Sequence, residues 1–147
     1  MDPRPIQTRH WLAAQLDHLD ALARERDRVA AGGEDGRARA ARDEFLRALD
    51  AFAIDVCDRP EVEACVVGHE GLPLASAGRP PDAETLAAVS QVWSSVATKG
   101  ATQLALGPMT QLVVIGEVFK VALFQSGGMT IAILARSGVD LAGALAG

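Results

Sequence analysis

The chain has 147 residues, of which 49% are hydrophobic, 22% charged and 4% aromatic, and its formal net charge is −5. That length suits one domain, or one domain with an appended helix, and not two full domains. With 14 Lys and Arg against 19 Asp and Glu, the composition excludes a nucleic-acid binder, and its apolar content excludes intrinsic disorder.

From Thr8 to about Ala31 the pattern is helical: Thr8 can serve as an N-cap, and Leu12, Leu16, Leu19 and Leu22 form an apolar stripe that Trp11 and Val29 widen. Asp17, Asp20, Arg24, Asp27 and Arg28 make the solvated face. Gly32-Gly33-Glu34-Asp35-Gly36 then breaks the helix, so residues 1–36 read as a helix and linker ahead of a domain at 37–147. The leucine stripe can fold back on that domain or seat in a partner's groove.

A second helix is expected over about Arg39–Cys57, with Phe45, Leu49, Phe52 and Val56 on one face. Val62–Gly68 and Leu72–Ser76 read as strands joined by a tight turn at His69-Glu70-Gly71, and Pro73 suits an edge strand because it cannot donate to a ladder. Asp82 is a good N-cap for a third helix that Gly100 would stop. Leu86, Val89, Trp93 and Val96 give this helix a bulky stripe, and Ala83, Ala87, Ser90, Ser94 and Ala97 a small one. The bulky face would lie on the sheet and the small face would admit a second helix; alternatively, the small residues let the helix sit close to its own sheet. Met109–Ile115, Val118–Phe124 and Met129–Ala135 read as three strands joined by short turns, and Val139–Ala146 as the start of a last helix. The expected class is therefore α+β: a five-stranded antiparallel sheet flanked by helices in the order α-β-β-α-β-β-β-α, with an extra helix in front.

Residues 1–60 hold 22 of the 33 charged side chains. The other 87 residues carry 4 basic and 7 acidic groups, too few to cover a small domain, so surface hidden by a partner is expected. No run of about 18 uncharged apolar residues could span a bilayer, and Met1-Asp2-Pro3-Arg4 does not begin a secretory signal, which points to the cytoplasm.

The order of elements, with Val62–Ser76 and its Gly71-Leu72-Pro73-Leu74-Ala75 centre, the Ala-rich helix after Asp82 and the closing Ser137-Gly138-Val139-Asp140-Leu141-Ala142-Gly143, resembles the Roadblock / dynein-light-chain family, including its bacterial MglB-like members. The likeness covers about residues 39–147; the short last helix and the helix at 8–31 depart from it. The resemblance implies a Roadblock/longin-like fold and a homodimer or heterodimer, in which the third helices and third strands of two protomers meet and continue one sheet. Ala83, Ala87, Ser90, Ser94 and Ala97 with Leu112, Val113 and Val114 are then the expected interface, and the outward residues Ala88, Gln91, Val92, Ser95 and Lys99 the expected surface for a further partner.

Chemistry of the chain's own is not expected. The sequence has no phosphate loop, no Gly-x-Ser-x-Gly elbow and no His-Glu-x-x-His, and Lys99-Gly100 lacks the glycine that a phosphate loop needs ahead of it. Cys57 and Cys65 read as buried structural thiols, and His10, His18 and His69 do not complete a metal site with them. Glu61, Glu63 and Glu70 read as strand-end charges and Arg79 as a solvated loop arginine, so neither an acid/base pair nor an arginine finger is expected; nor is a catalytic residue, cofactor or metal. The resemblance implies a non-enzymatic dimeric regulator or scaffold of a Ras-like small GTPase. A homodimeric adaptor without effect on GTP hydrolysis, possible through the 8–31 helix, is the alternative, and a ligand-sensing pocket against the sheet a more distant one.

Overall fold

A computed structural model describes residues 10–32 and 35–145. The Thr8 cap, the Gly33-Glu34 part of the linker and the end of the last helix lie outside them. The elements run α1 (His10–Ala31), α2 (Asp35–Cys57), β1 (Val62–His69), β2 (Leu72–Gly78), α3 (Ala83–Gln103), β3 (Leu112–Ile115), β4 (Phe119–Ser126), β5 (Met129–Arg136) and α4 (Leu141–Ala144). The five strands form one antiparallel sheet in the order β2-β1-β5-β4-β3. Both the expected class and the expected order of elements are what the chain adopts.

Strand alternation divides the core between two faces. On one, Cys65, Val67, Ala122, Phe124, Ile131, Ile133 and Ala135 meet the stripes of α1 (Leu12, Leu16, Leu19) and α2 (Phe45, Leu49, Phe52, Val56), with Leu141 and Leu145 closing the end. On the other, Ala64, Val121, Leu123, Ala132 and Leu134 meet Leu86 of α3 and Leu112 and Val114 of β3. The stripe of α1 is thus folded back into the domain's own core. Ser126 Oγ donates to the Leu16 carbonyl at 2.9 Å, which fixes α1 over the β4–β5 turn. Trp11 stacks on Phe52 with 6.4 Å between ring centroids, and the Arg59 guanidinium lies 3.7 Å from the Trp11 ring centre.

The hairpins use turns the glycines permit. Glu70 and Gly71 both have positive φ (52° and 83°), as do Gly127 and Gly128 (55° and 79°), the signature of two-residue turns whose twist matches the strands. The β4–β5 turn is therefore shorter than the sequence suggests. Pro73 lies in β2 at one edge of the sheet, opposite Gly68 and next to a bulge at Val67/Gly68.

Three boundaries differ from expectation. The second helix begins at Asp35, not Arg39, because Gly36 falls in its first turn, where backbone N–H groups need no helical partner. The third runs through Gly100 to Gln103: one interior glycine costs only about 1 kcal/mol, and the Leu104 amide still donates to the Gly100 carbonyl at 3.0 Å. The third strand is cut to Leu112–Ile115, the stretch that pairs with β4.

Candidate functional site

The face of α3 that meets the sheet is the small one. Ala87, Ser90, Ser94 and Ala101 are buried, with Ala83 and Ala97 at the margin. The reason lies in the strand beneath: a Cβ added to Gly68 would stand 3.2 Å from the Ala87 Cβ, so helix and strand approach as closely as two small residues allow. Ala64 and Ala132 extend that shallow seat. Ala87, Ser90 and Ser94 are therefore closed off within the protomer, and the expectation that they meet a second copy gives way to its alternative. The Ser90 and Ser94 hydroxyls are buried with no hydrogen-bond partner.

Seating the small stripe inward turns the larger side chains outward. Val92 is 60% exposed, Trp93 38% and Val96 64%, and the loop after the helix adds Leu104 at 72% and Leu106 at 71%. Val113, Ile115, Val118 and Phe119 are exposed around β3. These nine residues, from α3, β3 and their flanking loops, make up most of the exposed large apolar side chains among the described residues; only Ile54 and Leu72 lie elsewhere. Apolar surface gathered in this way marks an interaction site. Beside it β3 forms the second edge of the sheet, unpaired on its outer side among the described residues.

The helix lies over β1, β2 and β5. Toward β3 and β4 the same face opens into a cavity of about 400 Å³, lined by Pro81, Asp82, Thr85, Leu86, Val89 and Trp93 on the helix side and by Val114, Gly116, Phe119, Lys120, Val121 and Leu134 on the sheet side. Its polar side chains are occupied. Asp82 caps α3, accepting from the Glu84 amide at 3.1 Å and the Thr85 hydroxyl at 2.7 Å. The Thr85 hydrogen bond chiefly, helped by the Glu84 and Thr85 amides, holds the Asp82 carboxyl below the usual range. The Lys120 ammonium donates to the Val139 carbonyl at 2.6 Å. What remains can bury apolar groups and has no positioned acid, base or nucleophile to offer.

Of the outward residues singled out in the sequence, Ala88, Val92, Ser95 and Lys99 are exposed along one line of α3, whereas Gln91 turns inward and accepts from the Thr130 hydroxyl at 3.3 Å. Leu112 and Val114 are half-buried on the α3 side of β3, and Val113 is exposed. Sequence reasoning missed Leu104, Leu106, Ile115, Val118 and Phe119. The available signal was Leu104-Ala105-Leu106, an apolar pair in a segment where turns are normally polar.

Away from this face the polar groups are structurally employed. Burial pushes the Cys65 thiol up strongly, and mainly burial raises Cys57, as suits structural thiols. Glu63 pairs with Arg136 at 3.4 Å, and His69 Nδ1 meets the Gly128 carbonyl at 3.2 Å, tying two turns together. Among the described residues no group of three or more His, Cys, Asp or Glu is arranged to hold a metal ion, and no helix is long and apolar enough to cross a membrane.

A five-stranded antiparallel sheet with α1, α2 and α4 on one face and α3 on the other gives an α+β domain with the Roadblock/longin-type fold. The solved structures it resembles include a Roadblock/LC7 domain and MglB proteins. The Roadblock/LC7 domain from Streptomyces avermitilis is 23% identical, with a TM-score of 0.60 over 66% of this chain and 88% of that one. MglB of Myxococcus xanthus is 12% identical, with a TM-score of 0.61 over 67% and 77% of the two chains. The gliding protein MglB from Thermus thermophilus is 16% identical, at 0.53 over 64% and 82%. No protein-family model matches the sequence, and no curated protein matches it. The Roadblock/LC7 fold is thus shared at the level of structure.

Proposed function

We propose that the chain is a non-enzymatic dimeric regulator or scaffold of a Ras-like small GTPase. The observation that carries this reading is the single apolar face on α3, β3 and their flanking loops, set beside an unpaired strand edge on a Roadblock/LC7 fold. Copies pair through Trp93, Val96 and the strand Leu112-Val113-Val114-Ile115, which hides the charge-poor surface. The line Ala88, Val92, Ser95 and Lys99 is left for the GTPase. Regulation then means reshaping the partner, as the resemblance to MglB-like members implies. MglB, a protein of the same fold, adds the analogy on which the choice of partner rests.

The first check is whether a small GTPase is encoded beside the gene; the test then adds purified chain to a purified Ras-like small GTPase and follows GTP hydrolysis and complex formation. Changed turnover with a complex is the expected result, and Lys99→Glu should weaken that complex. A complex with unchanged turnover would make the protein an adaptor. Neither complex nor change would remove the GTPase from the reading.

A further inference from the structure

We infer that Leu104 and Leu106 of one copy fill the apolar cavity of a second copy, and that the exchange is reciprocal. The inference rests on the reading that copies pair through the α3–β3 face and adds which side chains complete the site. The cavity is about 400 Å³ and its polar lining groups are already engaged, so its occupant is apolar. The chain itself presents suitable groups. Leu104 and Leu106 are the most exposed large apolar side chains among the described residues, at 72% and 71%. Their loop has a defined shape: the Leu104, Ala105 and Leu106 amides donate to the Gly100, Thr102 and Ala101 carbonyls at 3.0, 3.1 and 2.9 Å, with Ala105 between them at a φ of 55°. Two leucines in a held loop lose little freedom on docking, which favours association.

A copy's own leucines lie beyond the helix wall of its own cavity, beginning eleven residues after Trp93, the last lining residue of the helix. Val89, at the cavity wall, lies fifteen residues before Leu104, about 22 Å along the helix. In an antiparallel pair of α3 helices, however, the C-terminal loop of each lies beside the N-terminal half of the other. The point midway between Val89 and Leu104 falls at Val96 and Ala97, and Val96 is 64% exposed, as a residue on a two-fold axis must be. One turn further on, a Cβ at Gly100 would meet nothing within 4 Å, so a partner has room there. The strand gives the same direction independently. The leucine loop leads into the start of β3, whereas the cavity takes Val114 and Gly116 from its end. Antiparallel pairing of two β3 edges sets each strand's start beside its partner's end. Helix and strand thus call for the same antiparallel arrangement of the two copies.

Sedimentation equilibrium on the full chain tests this, with Leu104→Ser/Leu106→Ser against Ile54→Ser, an exposed apolar residue on α2. Each buried leucine is worth roughly a tenfold change in affinity or more, so the double variant should raise the dimer Kd at least about 100-fold while Ile54→Ser leaves it unchanged. Because both leucines are exposed in the protomer, the double variant should keep the wild-type far-ultraviolet circular dichroism. A wild-type dimer whose Kd the double variant leaves unchanged would overturn the inference and leave pairing intact. A wild-type chain that is monomeric at 100 micromolar, taken as roughly the ceiling for a specific dimer, would instead remove the pairing reading. In addition, Thr85→Cys/Leu106→Cys should form an intermolecular disulfide on mild oxidation, which neither single cysteine variant should form. A dimer that gives no such crosslink would count against insertion.

Discussion

Arg59 ties three segments together, and its removal should loosen the packing of the first and last helices. Its Nε donates to the Ala144 carbonyl at 2.7 Å and its Nη1 to the Asp55 carbonyl at 2.7 Å, while the guanidinium covers the Trp11 ring. These are carbonyls near the C-terminal ends of α4 and α2, which a cation satisfies favourably. Buried charge-assisted bonds would be worth about 1.5–3 kcal/mol each, but Arg59 is only partly buried, so about 1 kcal/mol each is the fitting figure. The ring contact adds roughly 0.5–1 kcal/mol. Arg59→Met keeps the apolar stem and should therefore cost about 2–3 kcal/mol in a urea melt. On a domain of this size that lowers Tm by roughly 5–12 °C. Arg59→Lys should recover less than half, since one ammonium cannot span two carbonyls and a ring. Hydrogen exchange should locate the loss in α1 and in the ends of α2 and α4. A cost below about 0.5 kcal/mol for Arg59→Met would refute this account of how the ends are held.

Two further outcomes follow from single sites. Ser94→Ala removes a hydroxyl that is buried without a partner and replaces it with a better helix former, so it should stabilise the chain by about 1 kcal/mol in the same melt; a destabilisation would mean that the hydroxyl has an important partner in solution. Asp82 has a folded pKa below its unfolded one, so its stabilising effect is complete above the normal carboxylate range and is lost as pH falls through it. Asp82→Asn, which can still cap, should flatten the acid limb of the stability profile between about pH 5 and 2 with little change at pH 7, and an unaltered limb would contradict the assignment.

The layered fold was legible because local signals agreed with one another. The α2 stripe Phe45, Leu49, Phe52 and Val56 could bury only against a sheet, Asp82 announced a helix start, and Gly71 and Pro73 marked a hairpin with an edge strand. The orientation of α3 was harder to read. Its two stripes are both apolar, and periodicity gives their angular separation without saying which faces inward. That choice depends on Gly68, fifteen residues before the helix begins, which lets Ala87 approach the strand closely, while Ala64 and Ala132 lie in the patch that Leu86 covers.

The same packing explains where the candidate site is. Gly68 beneath Ala87 lets the small stripe seat close to the sheet, and that seating sends Val92, Trp93 and Val96 to the surface. Had β1 carried a larger residue at Gly68, the helix would have had to shift or rotate, and the cavity beside Leu86 and Val89 would have changed with it. The close fit within the protomer and the apolar face outside it are therefore one consequence of the same few small residues. A change at Gly68 should then disturb association as well as stability, although no residue of the outer face is altered.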